Sequence, residues 1–247
     1  MGERRYSVDP QGDVTLVLRT DPQKDFAVWD ENDIPSAISV PGNNAFSPPP
    51  GESLQQVGSQ QTPRDKSTSV SEPQMVETHY RVSSRHLILA SEYFKRTLGP
   101  EWKEGATLKS DGHVTVHAEG WDGEAFLILL NIIHGHTRKV PKSIDLDMLA
   151  KIALLVDYYQ CLEVSELFAN IWFEKLIEGV PSTYTRDLIL WLFVSWVFRQ
   201  SELFTRTTKI CSTQSRGPIQ TLALPIPENF VGNKPLYLGF GCRRGLL

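Results

Sequence analysis

Between Ile34 and about Pro73 the chain has few large apolar side chains, and the run PGNNAFSPPPGESLQQVGSQQTPRDKSTSVSEP is dense in Pro, Ser, Gln and Gly. Such a stretch cannot bury enough surface to offset the conformational entropy lost on ordering. It reads as a disordered insertion over 34–75. Any core must therefore be assembled from the apolar phrases on either side of it. Those phrases are sufficient: 40% of the 247 residues are hydrophobic and 22% charged, which is ordinary for a globular protein.

Before the insertion, Asp13 to Leu18 alternates polar and apolar residues at its start and is β-branched, so it predicts a strand, with Phe26 to Trp29 as a short return strand. After it, Tyr80 and Val82 alternate with Arg81, again as in a strand with one buried face. Ser83 and Ser84 suit a strand-to-helix junction, because a hydroxyl can cap free N–H groups. Leu87, Leu89, Ala90, Phe94 and Leu98 then supply an apolar helical face that Gly99-Pro100 ends. A strand through Val114 and Val116 follows, with His113 and His117 on its solvent side.

Helices dominate the rest. Asp122 is placed to cap one through Phe126, Leu129, Leu130 and Ile133. Asp145 or Asp147 begins the next, whose stripe is Leu146, Leu149, Ile152, Ala153, Val156 and Tyr159. Val164, Leu167, Phe168, Ile171, Trp172 and Leu176 repeat the pattern, with Gly179-Val180-Pro181 as the stop. A last helix, Asp187 to about Leu203, is apolar nearly all round and should be sandwiched or serve as an interface. The remaining tail is rich in Pro and Gly without a sustained period, and loops packed loosely or not at all are expected there.

The order of these phrases resembles the BTB/POZ domain, in the branch abundant in filamentous fungi. The matching stretches are GDVTLVL, YRVSSRHLILASEYFKRTL, VTVHAEGWDGEAFLILLNIIHG and LDMLAKIALLVDYYQCLEVSELFANIWFEKL, which cover most of Gly12 to Leu176 apart from the insertion. The resemblance implies an α/β fold, a small mixed sheet flanked by a cluster of helices, with a helical C-terminal extension. It implies a domain over 12–178, preceded by an arm at 1–11 and followed by the helical extension at 179–210 and an irregular tail at 211–247. It places Asp13, Val14, His86, Leu87, Leu89, Ala90, Ser91 and Phe94 in the family's core motif. The sequence departs from the family at Ser83 and Ser84, where many members have histidine and lysine, and in the length of the insertion. A long loop adds closure entropy only slowly, so the insertion is tolerable in the first hairpin.

The formal charge is −4 and the pI about 5.9, which argues against a protein whose main task is to neutralise nucleic-acid phosphate. No apolar stretch follows Arg4 and Arg5, as a secretory leader would require, and Leu188 to Phe198 is too short to span a membrane. Three scattered cysteines, Cys161, Cys211 and Cys242, offer neither a disulfide framework nor zinc-ligand spacing, which fits an intracellular location, cytoplasmic or nuclear. His134 and His136 flank Gly135, but no Cys or carboxylate completes a ligand set. Ser83, Ser84 and Ser91 lie near His86 without a nucleophile elbow, and no phosphate-binding loop is present.

No enzyme, cofactor or metal is expected. The resemblance implies a protein-interaction module acting by self-association or by docking a protein partner, without direct contact to nucleic acid or membrane. Trp102 and Glu104 match the apolar-x-Glu pattern with which some BTB domains approach the cullin scaffold of ubiquitin ligases, so a substrate adaptor is the alternative. A transcription-associated scaffold and a non-functional gene model are further readings. Trp191 and Trp196 are the second pair of candidate partner contacts, weighed against a place in the core.

Overall fold

The computed structural model describes residues 3–20, 26, 29, 76–215 and 217–227, so the insertion at 34–75 falls outside the described residues. A four-stranded mixed sheet in the order β1-β3-β2-β4 is followed by helices concentrated toward the C-terminus. β2 (Val14–Thr20) and β3 (Val76–Val82) are antiparallel over their whole length, from Val14 opposite Val82 to Thr20 opposite Val76. The two phrases on either side of the insertion are thus one hairpin, closed by a very long connection. β4 (Val114–Glu119) runs parallel to β2.

The stretch before Asp13 does more than form an arm. β1 (Glu3–Ser7) adds a parallel edge strand to β3, and Tyr6 stacks on Tyr80 at 5.4 Å between ring centroids. The anticipated return strand is absent at its described positions: Phe26 lies in a bend and Trp29 in no regular element, while Ala27 and Val28 fall outside the described residues. Both described side chains reach the segment around Tyr184 and Arg186 instead. Phe26 sits under the Arg186 guanidinium, 5.7 Å away, and Trp29 packs on Tyr184 at 5.3 Å.

One sheet face carries Val14, Leu16, Leu18, Tyr80, Val82, Val114 and Val116 into the core. Leu16 stands between Tyr80 and Val116 in register, so alternation at period two delivers an apolar layer. The other face is mostly polar, with Val17 the buried exception, and Arg19 donates to Glu77 at 3.2 Å. His113 and His117 are exposed there as expected.

The helical face expected from Leu87 to Leu98 is broken in two, α1 (Ser84–Ala90) and α2 (Glu92–Thr97), because Ser91 takes an extended conformation between them. That break rotates Leu89 out to 88% exposure, while Leu87, Phe94 and Leu98 stay in the core. α3 (Lys103–Asp111) has no counterpart in the sequence pattern. Its only buried residue is Gly105, so no apolar periodicity announces it. It ends where Gly112 adopts φ +70, the left-handed cap glycine accommodates without strain.

α4 (Gly123–Ile133) starts where Asp122 accepts from the Glu124 and Ala125 amides, both at 2.9 Å. α5 (Leu146–Tyr159) starts where Asp145 accepts from Met148 at 2.8 Å. α5 packs on both α4 and α7, and burial of Ala150 and Leu155 widens its stripe beyond the single face expected. α6 (Leu162–Leu176) buries Ser165, Ala169, Trp172 and Phe173, and Leu167, assigned to the stripe by spacing, is 67% exposed.

The last apolar run is two helices rather than one. α7 (Arg186–Val197) ends at Phe198, Arg199 takes φ +57, and α8 (Ser201–Gln214) turns back along it. Every residue from Leu188 to Val194 is buried, and α7 is sandwiched between α5 and α8. Helix therefore continues past 210 to Gln214. The described part of the tail is also packed: Ile219, Leu222, Leu224 and Ile226 are buried, and the Gln220 amide donates to the Tyr184 hydroxyl at 3.1 Å. Among the described residues no helix is long and apolar enough to cross a membrane.

Candidate functional site

The core-motif residues divide by what they touch. Val14 and Leu87 are fully buried and Phe94 nearly so. Asp13 works at a junction: one carboxylate oxygen accepts the Ser84 amide and the other the Ser84 hydroxyl, both at 2.7 Å. Burial works to raise the Asp13 pKa, but these bonds, with Arg85 nearby, outweigh it and hold it below the ordinary value. Ser83, placed by sequence as a hydroxyl cap, makes no side-chain cap bond. The capping hydroxyl is Ser91, which accepts from the Phe94 amide at 3.1 Å and donates to the Tyr159 carbonyl. His86 is exposed, its ring stacked on His134 at 4.9 Å, and Leu89 is exposed and Ala90 half-buried, so these three lie outside the buried motif.

Ser91 couples the start of α2 to the end of α5, and an aromatic system is built across that joint. Phe94 stacks on Tyr159 at 4.9 Å with ring planes 6° apart. Tyr159 meets Phe126 at 5.8 Å, which meets Tyr80 edge-on at 5.3 Å. Outward, Tyr158 packs against Tyr93 at 5.2 Å and Trp121 at 5.0 Å and is still 48% exposed. Burial, and then the Tyr158 phenol, push the Tyr93 hydroxyl above the ordinary tyrosine range, and the Glu104 carboxylate adds to the effect.

Trp102 stands at the N-terminal boundary of α3 with 59% of its surface exposed, and Glu104, in the first turn, is half-buried. α3 packs Leu108 against the core, and its backbone comes close to the turn before it. A Cβ built on Gly105 would lie 1.9 Å from the Gly99 carbonyl oxygen, so the helix approaches the preceding turn as only glycine permits. Trp102 therefore closes a turn that runs into a helix, and Gly105 brings that helix close to Gly99.

The second candidate pair is placed differently. Trp191 is 1% exposed and packs on Phe173 at 5.9 Å, which closes it to a partner. Trp196 is half-buried against the core, 6.2 Å from Phe193. Sequence reasoning missed Tyr93, Trp121 and Tyr158. The available signal was Tyr158 itself, a large aromatic one position off the α5 stripe.

The chain is thus a mixed α/β protein with a cluster of half-buried Tyr93 and Trp121 around exposed Tyr158, and with an exposed Trp102 at the start of α3. No protein-family model matches the chain, and no curated protein is similar enough to it to stand as a relative.

Proposed function

We propose that this chain is a protein-interaction module of the BTB/POZ type that docks a partner protein through Tyr93, Trp121, Tyr158, Trp102 and Glu104. The observation that carries the reading is the exposure of two large aromatics, Tyr158 at 48%, packed on half-buried Tyr93 and Trp121, and Trp102 at 59%. Tyr and Trp supply large, rigid contact area and are favoured anchors at interfaces. Docking would draw its energy from burying these rings, with the Glu104 carboxylate supplying orientation. Two free, buried thiols, Cys161 and Cys211, fit an intracellular setting, cytoplasmic or nuclear.

The particular partner we propose is a cullin-type scaffold, with the chain as substrate adaptor. Binding of the purified chain to a cullin N-terminal domain tests it by calorimetry: a Trp102→Ala/Glu104→Ala variant should lose at least tenfold in affinity. Unchanged affinity would remove these residues from the interface, and no binding by the unaltered chain would sink the adaptor reading. Self-association is the second reading, favoured by the short edge strand β1, whose one partner among the described strands is β3. A concentration-dependent dimer in analytical ultracentrifugation supports it, and a monomer at all concentrations rules it out.

A further inference from the structure

The first turn of α1 is held from outside by two side chains, and one of them is a histidine with a fixed proton. The Ser83 amide donates to Nε2 of His134 at 3.0 Å, and Nδ1 of His134 lies 2.8 Å from the Leu130 carbonyl oxygen. A backbone amide is an obligate donor and a carbonyl an obligate acceptor. Nε2 must therefore carry a lone pair and Nδ1 the proton, so the buried ring is neutral in one tautomer. The remaining support for this turn is the Asp13 carboxylate on Ser84.

We propose that His134 is an acid-labile cap: its neutral ring, at the end of α4, secures the β3–α1 junction, and protonation at Nε2 releases it. A proton taken from solvent at Nε2 removes the acceptor and sets two donors against each other. It also brings positive charge to the N-terminal end of a helix, which already bears partial positive charge. The groups facing the ring are His86 of α1, stacked at 4.9 Å, and His136 of the following loop, at 6.4 Å. Asp9 of the β1–β2 turn acts on it as well. Burial lowers the His134 pKa below the ordinary histidine value, and His86 and His136 act the same way, against the Leu130 bond and Asp9. Arg85, beside Ser84, adds further positive charge to the junction.

The direction of the pH effect follows. An imidazole whose folded-state pKa lies below its unfolded value of about 6.5 contributes stability in full above that value. The contribution is lost as pH falls from there through the folded-state pKa.

The test compares the full chain with His134→Gln, whose side-chain carbonyl can still accept from Ser83 but cannot be protonated. Urea unfolding is followed from about pH 7.5 to about pH 5, with amide exchange of Ser83 to Leu87 read alongside. Within the window the wild-type unfolding constant should rise relative to His134→Gln by up to about tenfold per pH unit. Wild-type protection at Ser83 should fall about tenfold while that of the variant holds. An identical pH response in both proteins, or one abolished equally by His86→Gln, overturns the proposal. Where His134→Gln fails to fold, imidazole nitrogen spectra of the wild type decide: His134 must remain Nδ1-protonated and titrate below the ordinary histidine value of about 6.5. Titration at or above that value overturns it.

Discussion

Ser83 and Ser91 are the same residue at the same kind of position, the N-terminal boundary of a short helix, and the structure assigns them different energies. Ser91 is buried, 2% exposed, and the two bonds of its hydroxyl go to the Phe94 amide and the Tyr159 carbonyl. Ser91→Ala removes a helix cap, about 1 kcal/mol, and strips a buried carbonyl of its donor, about 1–3 kcal/mol. The total is about 2–4 kcal/mol. Ser83→Ala removes a hydroxyl that makes no cap bond and should stay within about 0.5 kcal/mol of wild type. Urea unfolding followed by tryptophan fluorescence measures both, and the Ser91→Ala midpoint should fall by about 1–2 M at unchanged slope. Equal midpoints for the two variants would refute the view that Ser91 ties α2 to α5.

Asp13→Ala should cost about 2–3 kcal/mol at neutral pH, since two charge-assisted bonds to Ser84 are lost. Because the folded-state pKa of Asp13 is depressed below 3.8, the gap to wild type is full above that value and closes as pH falls through the folded pKa. A gap unchanged in strong acid counts against the assignment. Gly105→Ala, which on helix propensity alone would stabilise by about 1 kcal/mol, should instead destabilise, because its Cβ would meet the Gly99 carbonyl at 1.9 Å. A raised melting temperature would show that α3 is not docked there. Leu167→Ala should change the unfolding free energy by less than about 0.5 kcal/mol, whereas Trp172→Ala should lose about 3–5 kcal/mol, and the reverse order would mean that α6 is rotated.

The sequence was most readable where period and cap coincide. Asp122 announced α4, Asp145 or Asp147 announced α5, with Asp145 the cap observed, and the alternation around Leu16 and Val116 announced the strands, because each signal reflects a local rule. α7, apolar on every side, was legible as a helix that is sandwiched or an interface, and its burial between α5 and α8 selects the first, while the end at Val197 was not foreseen. Legibility failed where burial depends on distant partners. Ser91 splits one apolar stripe into two helices through a bond to Tyr159, which is 68 residues away. Leu167 fits the α6 stripe by spacing, yet the helix turns Ser165 and Ala169 inward, since small side chains allow close approach. α3 was invisible because its buried residue is Gly105, so no apolar stripe marks it. Of the candidate site, Trp102 and Glu104 were found from the motif, while Tyr93 on α2, Trp121 between β4 and α4, and Tyr158 on α5 come together only through tertiary packing.

The most direct measurement on the proposed interaction surface is quantitative co-purification from native cells at near-normal abundance, comparing wild type with Trp102→Ala/Tyr158→Ala and with Leu167→Ala, an exposed control on α6. The account predicts a stoichiometric partner that binds wild type and Leu167→Ala and is lost from Trp102→Ala/Tyr158→Ala, although all three chains unfold at similar urea concentrations. Retention of the same partner by Trp102→Ala/Tyr158→Ala would contradict the assignment of the aromatic group as the docking surface.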